Sequence, residues 1–486
     1  MGQHLSELLR RDLDADPVID GVTADSRKVK PGFLFAALPG AKANGRDFAA
    51  RAVEAGAVAI LASEDMPGLG VPVVTASDPR RAYALAAAAF WERQPPVCVA
   101  VTGTNGKTSV AAFCRQIFAK AGFVAASMGT LGVRITDPHA GEDEQITPPG
   151  LTTPDAADVA ELLATLAEKG VTHLALEASS HGIDQRRLDG VHLSAAGFLN
   201  LTQDHLDYHG TMGVYRAAKL RLFETLLPRG ATAVLNADSD AYPAFAGAAV
   251  AAGQSVFSVG EAGQGLELVS RALAPDGQHL TIRAQGRTFD IHLPLAGGFQ
   301  ASNALVAAGL CLAAGLDIDT VLGALEKLEG APGRLQRVGT GRRGGEAYVD
   351  YAHTPDGLET VLRALRPHVG GKLIVVFGAG GDRDRTKRPL MGAVAAKEAD
   401  LAIVTDDNPR SEVPAEIRAE VLAGAVGGRE IGDRRDAIRA GVALLGQGDV
   451  LVVAGKGHEQ GQIVGDVVHP FDDVVETRQA LEAAGG

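Results

Sequence analysis

Residues 102–109 read Thr-Gly-Thr-Asn-Gly-Lys-Thr-Ser, directly after the β-favouring run Val97 to Thr102 and before a helical pattern. Such a loop suits phosphate. Gly103 and Gly106 let the backbone N–H groups of Thr104, Asn105 and their neighbours turn inward, and the following helix N-terminus adds partial positive charge. Lys107 can reach the β and γ phosphates of a nucleotide, the Thr108 hydroxyl can ligate Mg²⁺, and Ser109 continues the turn. The common phosphate loop has a glycine six residues before its lysine. Here that position is Val101, so the motif is a shorter Gly-x-x-Gly-Lys-Thr form.

Three further polar groups fall where a metal could be held. Glu177 ends a second β-favouring run, where a carboxylate is either a Mg²⁺ ligand or a cap for the next helix. His205 lies in the polar stretch Asn200 to His209 after a third run, as a ligand, a phosphate partner or an ordinary loop residue. Lys219 sits on a helical pattern among apolar neighbours. Its own side chain reads as a lysine laying its stem on apolar surface with its head in water. An ammonium cannot bind a cation, but the carbamate formed by adding CO₂ to the amine can.

These groups need a scaffold, and the rest of the chain supplies one. Its 486 residues at ordinary domain size imply about three domains. Residues 1–95 read as a small α/β unit, with strands at Phe33 to Ala37 and Ala57 to Leu61 and a helix at Asp47 to Gly56. Pro95-Pro96 is a stiff break. Residues 96–331 alternate strands (Val97 to Thr102, Thr172 to Leu176, Ala195 to Leu201, Ala231 to Leu235) with helices such as Asp155 to Lys169, the pattern of a parallel sheet. After Gly330-Ala331-Pro332-Gly333 the alternation restarts in 332–486, with strands at Ala347 to Tyr351, Lys372 to Phe377, Asp400 to Thr405 and Val450 to Ala454.

Composition narrows the function. The net charge of −13 disfavours general nucleic-acid or anionic-membrane binding. The 60 glycines and 23 prolines fit the many short loops of an α/β enzyme rather than a coiled coil. Cys98, Cys114 and Cys311 show no paired spacing, which excludes a disulfide framework and a zinc site. No run approaches about 18 uncharged apolar residues, so a soluble cytoplasmic protein is expected.

Taken together the motifs resemble the Mur ligases, the ATP-dependent amino-acid-adding enzymes of peptidoglycan synthesis. The matching pieces are Gly103 to Thr108, Glu177-Ala-Ser-Ser-His181, Asn200 to His205, Ala218-Lys219, Asn303, Pro332-Gly-Arg334 and Asp350-Tyr-Ala-His353, in order along the chain. The resemblance implies a UDP-sugar-binding N-terminal domain, a central P-loop-type parallel-sheet ATPase, and a C-terminal Rossmann-like domain that holds the amino acid. It implies ATP as co-substrate, Mg²⁺ as cofactor, and a monomer with neither nucleic-acid nor membrane partner. Asn303, Arg334 and Asp350 match positions that hold ATP. Ser26, Thr152, Thr153, Ser179, Gln185 and Arg187 match positions for a UDP-N-acetylmuramoyl dipeptide. Lys107, Glu177, His205 and Lys219 become the catalytic set. Thr108, Glu177, His205 and Lys219, the last as N6-carboxylysine, become the metal set. Gln300 and Gln336 depart from the asparagine and glutamate usual in the family, both on the nucleotide side.

Within the family, Asp407-Asn408-Pro409-Arg410 resembles the motif of members that add meso-diaminopimelate, joined by Arg383, Gly455 and Glu459. Diaminopimelate carries a far carboxylate that lysine lacks. A buried Arg410 would pair with it bidentately and stand unpaired beside lysine, penalising the wrong substrate. Glu459 would receive an ammonium. The reaction implied is activation of the D-glutamyl carboxylate as an acyl phosphate, followed by attack of the amine. Rival readings are a lysine-adding Mur ligase and a folylpolyglutamate synthetase, which share this chemistry, and a nucleotide-binding regulator without catalysis.

Overall fold

The computed structural model describes residues 2–40, 44–140, 143–274 and 277–485. The chain divides into two compact units, one of residues 1–266 with 306–321 and one of 267–305 with 322–486.

In the first unit, Gly21–Thr23, Phe33–Ala36, Ala57–Ala62 and Val73–Thr75 form a four-stranded parallel sheet in chain order. The helix expected at Asp47 to Gly56 is a 3₁₀ turn, Gly45–Phe48, running into a short α-helix, Ala49–Glu54. Asn44 caps that turn by accepting from Arg46 N at 3.2 Å, and Gly56 in the left-handed region ends the helix.

The larger sheet of this unit centres on Val97–Thr102. That strand pairs in parallel with His173–Glu177 on one side and Ala195–Phe198 on the other. Helices cover both faces, which is why Val-Cys-Val-Ala-Val-Thr is apolar without alternation. Ala125–Gly129 lies beyond His173–Glu177, and Thr232–Asn236 and Ser255–Gly260 beyond Ala195–Phe198. The third run ends at Phe198, three residues short of the expected Leu201, because Leu199 and Asn200 turn toward the phosphate loop. Asp155 caps the helix Ala156–Glu168 by accepting from Ala157 N at 3.2 Å.

The antiparallel strands Leu266–Ala274, Gly277–Ala284 and Arg287–Leu293 belong, from Glu267 onward, to the second unit. It also holds a six-stranded sheet in the order Gln336–Thr340, Glu346–Asp350, Val450–Ala454, Leu373–Phe377, Leu401–Val404, Arg429–Glu430. All neighbours in it are parallel except the first pair. Apolar side chains fill both faces, led by Leu373, Val375 and Phe377 on one and Ile374, Val376 and Val453 on the other. Among the described residues no helix is long and apolar enough to cross a membrane, and the three cysteines are buried thiols.

Candidate active site

The phosphate loop, Glu177, the Asn200 stretch, Asp350 and the Asp407–Arg410 loop each end or follow a strand of a parallel sheet, where backbone turns outward and leaves room for ligand. In the first unit the phosphate loop leads into the helix Lys107–Lys120, with Gly106 at φ 92° as its N-cap. Asn200 braces the loop. Its Oδ1 accepts from Thr104 N at 3.1 Å and Asn105 N at 2.9 Å, and its Nδ2 donates to Asn105 O at 3.1 Å. Lys107 Nζ folds back over the loop, donating to Gly103 O and Thr104 O, both at 2.9 Å. Ser109 is buried in the first turn of the helix.

Glu177, only 3% exposed, is the hub. Its Oε2 accepts from Thr108 Oγ1 at 3.0 Å and from Thr130 Oγ1 at 3.4 Å, while Oε1 accepts from Thr130 N at 2.9 Å. A Cβ on Gly129 would come within 2.0 Å of Oε1, so the carboxylate occupies the space a side chain there would need. Thr108 and Glu177 present hard oxygen donors, the set Mg²⁺ prefers, and so they fit that ion. Among the described residues no group of three His, Cys, Asp or Glu side chains is spaced to hold a metal.

Lys219 corrects the reading of a lysine with its head in water. It lies on the helix Met212–Arg221, is 1% exposed, and donates to Gly103 O at 2.7 Å. Its Nζ sits 4.5 Å from the centre of the Tyr215 ring. Burial first, and then the cation of Lys107, hold its amine well below the ordinary lysine range. Burial also pushes the Tyr215 phenol up to about 12. His205 stays half exposed. It adopts a left-handed backbone (φ 51°), pairs with Asp204 at 3.2 Å, and meets the His181 ring edge-on at 4.9 Å between centroids.

The residues expected to hold the dipeptide are mostly gathered beside Glu177. Thr152 Oγ1 lies 2.9 Å from Thr130 Oγ1. Thr153 Oγ1 donates to Glu177 O at 3.0 Å and lies 2.9 Å from Ser179 Oγ. Arg187 donates to Thr153 O at 2.6 Å and to Gln185 Oε1 at 2.7 Å. Ser26 stands apart from this network. It lines a cavity of about 540 Å³ with Lys28, Asp155 and Asp158.

In the second unit, Asn303 and Arg334 are joined through Gln300. Asn303 Nδ2 donates to Gln300 Oε1 at 3.0 Å, and Gln300 Nε2 donates to Arg334 O at 3.3 Å. Gln336 Oε1 accepts from Gly333 N at 2.9 Å, so both departures from the family pattern have bonds in place. The Arg334 guanidinium lies over the Tyr351 ring, 4.9 Å from its centre. Asp350 ends the strand Glu346–Asp350 and accepts from Leu335 N at 2.6 Å and Ala352 N at 2.8 Å. Burial outweighs those bonds and the nearby Arg334 cation, and raises its carboxyl to about 6.

On the same sheet edge, the loops after Leu373–Phe377, Leu401–Val404 and Val450–Ala454 meet. Pro409 O would lie 1.9 Å from a Cβ on Gly381, so the two loops pack backbone to backbone. Arg410 is half-buried, not buried as expected, because its loop lies at the rim of the sheet. It has a left-handed backbone (φ 52°), and its Nη1 donates to Gly381 O at 2.8 Å. Arg383 is exposed at the tip of its loop. Gly455 leaves room for Asp407, whose Oδ2 would lie 2.5 Å from a Cβ there. Asn408 Nδ2 donates to Glu459 Oε2 at 2.9 Å.

Several supporting residues escaped the sequence reading. Thr130 and Asn200 orient Glu177 and the phosphate loop. Arg388, fully buried, ties Glu412 and Glu420 to Gly380 O. Arg434 pairs with Asp473, both fully buried, and donates to Ala454 O at 3.0 Å. Only Asn200 stood within a stretch already marked as polar and strand-terminal.

The whole chain is similar to known proteins. A protein of Caulobacter vibrioides is 73% identical over 99% of both chains and is named "UDP-N-acetylmuramoyl-L-alanyl-D-glutamate--2,6-diaminopimelate ligase". This chain belongs to the Mur ligase family. The family's "Mur ligase family, catalytic domain" matches residues 18–91, its "Mur ligase middle domain" 101–311, and its "Mur ligase, glutamate ligase domain" 333–457. A Brucella melitensis protein with the same name is 54% identical over 96% of this chain and 94% of its own. A solved structure titled for the same ligase superposes over the full length of both chains with a TM-score of 0.75 at 34% identity. This Mur ligase is therefore an ATP-dependent ligase with the α/β fold expected of it.

Proposed function

We propose that this Mur ligase adds meso-diaminopimelate to the D-glutamate of UDP-N-acetylmuramoyl-L-alanyl-D-glutamate in the cytoplasm, as a monomer. The observation that carries the substrate is the Asp407–Arg410 loop. Arg410 offers a guanidinium toward Gly381, and Asn408 in the same loop holds the Glu459 carboxylate. A substrate bearing both carboxylate and ammonium groups is complementary to such an edge.

Lys107 would leave its two loop carbonyls and donate to the β and γ phosphates of ATP. Asn200 keeps the backbone N–H groups of the loop fixed as it does so. Thr108 and Glu177 would hold Mg²⁺, which offsets phosphate charge as the anionic carboxylate approaches. Thr152, Thr153, Ser179, Gln185 and Arg187 would bind the muramoyl dipeptide beside Glu177, with Ser26 on the uridine side. The family resemblance assigns Asn303, Arg334 and Asp350 of the second unit to ATP. An oxygen of the D-glutamyl carboxylate attacks the γ-phosphorus, the bond to the β-phosphate oxygen breaks, and ADP leaves. The neutral amine then attacks the acyl carbon, gives up a proton, and phosphate departs.

Lys219 would act as its carbamate. A buried amine whose surroundings lower its pKa adds CO₂ through its neutral form and releases one proton, and its N–H can still donate to Gly103 O. With His205 it would supply the second set of ligands near the phosphates. The deciding experiment is phosphate release from ATP with the UDP-dipeptide, comparing diaminopimelate with lysine. Release with diaminopimelate alone is expected. Equal release with lysine, or release without any amino acid, would refute the reading.

A further inference from the structure

Behind the amino-acid loops lies a charge that the proposed chemistry leaves unused. Lys456, fully buried, follows Gly455 at the end of the strand Val450–Ala454. Its Nζ donates to Asn408 Oδ1 at 2.7 Å and to Gly461 O at 2.8 Å, and lies 3.7 Å from Asp407 Oδ1. Ile463 N donates to the same Asn408 oxygen at 2.9 Å. A buried ammonium is costly unless partnered, and this one is tied by two acceptors and a nearby carboxylate to the loop that carries Asn408.

The donors settle the direction of the network. An ammonium and a backbone N–H can only donate, so the Asn408 atom between them must be its oxygen. The Asn408 NH₂ must then face Glu459, whose Oε2 it meets at 2.9 Å. The chain of bonds runs one way, from Lys456 through Asn408 to Glu459. Were the amide reversed, its oxygen would face a carboxylate and repel it.

We propose that Lys456 is a positioning residue for amino-acid selection: by donating to Asn408 alongside the Ile463 N–H it locks that amide in place and so holds the Glu459 carboxylate ready for the ammonium group of the incoming amino acid. The inference rests on the function proposed above. It differs from a role in folding because it demands a donor at position 456 rather than a bulky side chain. Methionine matches lysine in length and donates nothing. Glutamine is shorter and keeps an N–H donor.

Steady-state kinetics of the full-length enzyme, varying diaminopimelate, ATP and UDP-dipeptide in turn, test it. Lys456→Met should raise KM for diaminopimelate tenfold or more, with KM for ATP and the dipeptide within twofold. Lys456→Gln should recover at least half of that loss on a logarithmic scale. Asn408→Asp keeps the acceptor for Lys456 but cannot donate to Glu459, and should itself raise KM for diaminopimelate tenfold or more, a readout that stands even if Lys456→Met fails to fold. Equal rises for all three substrates, no advantage of glutamine over methionine, or an Asn408→Asp enzyme with unchanged KM would overturn the inference. Failure of the unaltered enzyme to respond to diaminopimelate would instead overturn the function on which it rests.

Discussion

Lys107 and Lys219 donate to one and the same acceptor, the carbonyl oxygen of Gly103, at 2.9 and 2.7 Å. Two cations on one carbonyl would repel, and Lys219 is the one buried, so burial and the Lys107 cation hold its amine well below the ordinary lysine range. Loss of Lys107 removes the donor aimed at the transferring phosphate. Lys107→Ala should lower phosphate release by at least about 100-fold, the usual scale for deleting such a donor. Thermal unfolding should change little, and turnover within tenfold of the unaltered enzyme would deny Lys107 its role.

Lys219→Ala should also abolish turnover, for a different reason. The substitution removes an anionic ligand in the carbamate reading, so formate or acetate at high concentration should restore part of the activity. A structural lysine would not be replaced by a free carboxylate. Mass spectrometry of the native protein under bicarbonate should show an added mass of CO₂, lost on acidification.

Gly129→Ala tests the placement of Glu177 without touching it. The new methyl would stand 2.0 Å from Glu177 Oε1, displacing the carboxylate from Thr130 and Thr108. Overpacking of this kind costs about 1–3 kcal/mol of stability. The Mg²⁺ concentration needed for half-maximal activity should rise at least tenfold. An unchanged Mg²⁺ requirement with a lowered melting temperature would mean that Glu177 does not serve the metal.

The legibility of this chain differs between its motifs and their supports. Strands such as Val97–Thr102 and Val450–Ala454 were readable because burial on both faces demands unbroken β-branched and small apolar residues. Gly103 to Thr108 was readable because a phosphate loop requires those residue types in that order. Ser26, in a cavity separate from the Thr153 network, could be assigned only through family resemblance. The burial of Lys219 was hidden, since a lysine in Tyr-Arg-Ala-Ala-Lys looks the same whether its head meets water or a carbonyl. Arg434 and Asp473 lie 39 residues apart, and Lys456 and Asn408 lie 48 apart. Sequence spacing carries no trace of such pairs, because the fold alone brings them together.

Arg410 should control which amino acid is accepted. Its half-buried guanidinium is anchored by one bond to Gly381 O, leaving other N–H groups to meet a carboxylate. Arg410→Ala should raise KM for diaminopimelate at least 30-fold, about 2 kcal/mol for a charge-assisted pair. KM for ATP should stay within threefold, and the preference for diaminopimelate over lysine should shrink. Equal effects on both substrates would assign Arg410 to the loop rather than to the ligand.

Asp350 makes stability depend on pH in a direction opposite to that of most paired carboxylates. Burial raises its folded pKa from 3.8 to about 6. Between those values the folded state binds more protons than the unfolded state, so stability falls as pH rises from about 4 to about 6 and is flat above. A shift of that size corresponds to roughly 3 kcal/mol across the window. Asp350→Asn removes the titration but leaves one of two backbone N–H groups, Leu335 or Ala352, facing an NH₂ donor. It should cost about 1–3 kcal/mol when Asp350 is protonated and accepts through its carbonyl oxygen. The gap should then narrow toward neutral pH as the unaltered protein loses stability. Urea unfolding at pH 4, 5, 6 and 7 measures both curves. Parallel curves would show that the Asp350 carboxyl titrates alike in the folded and unfolded chains.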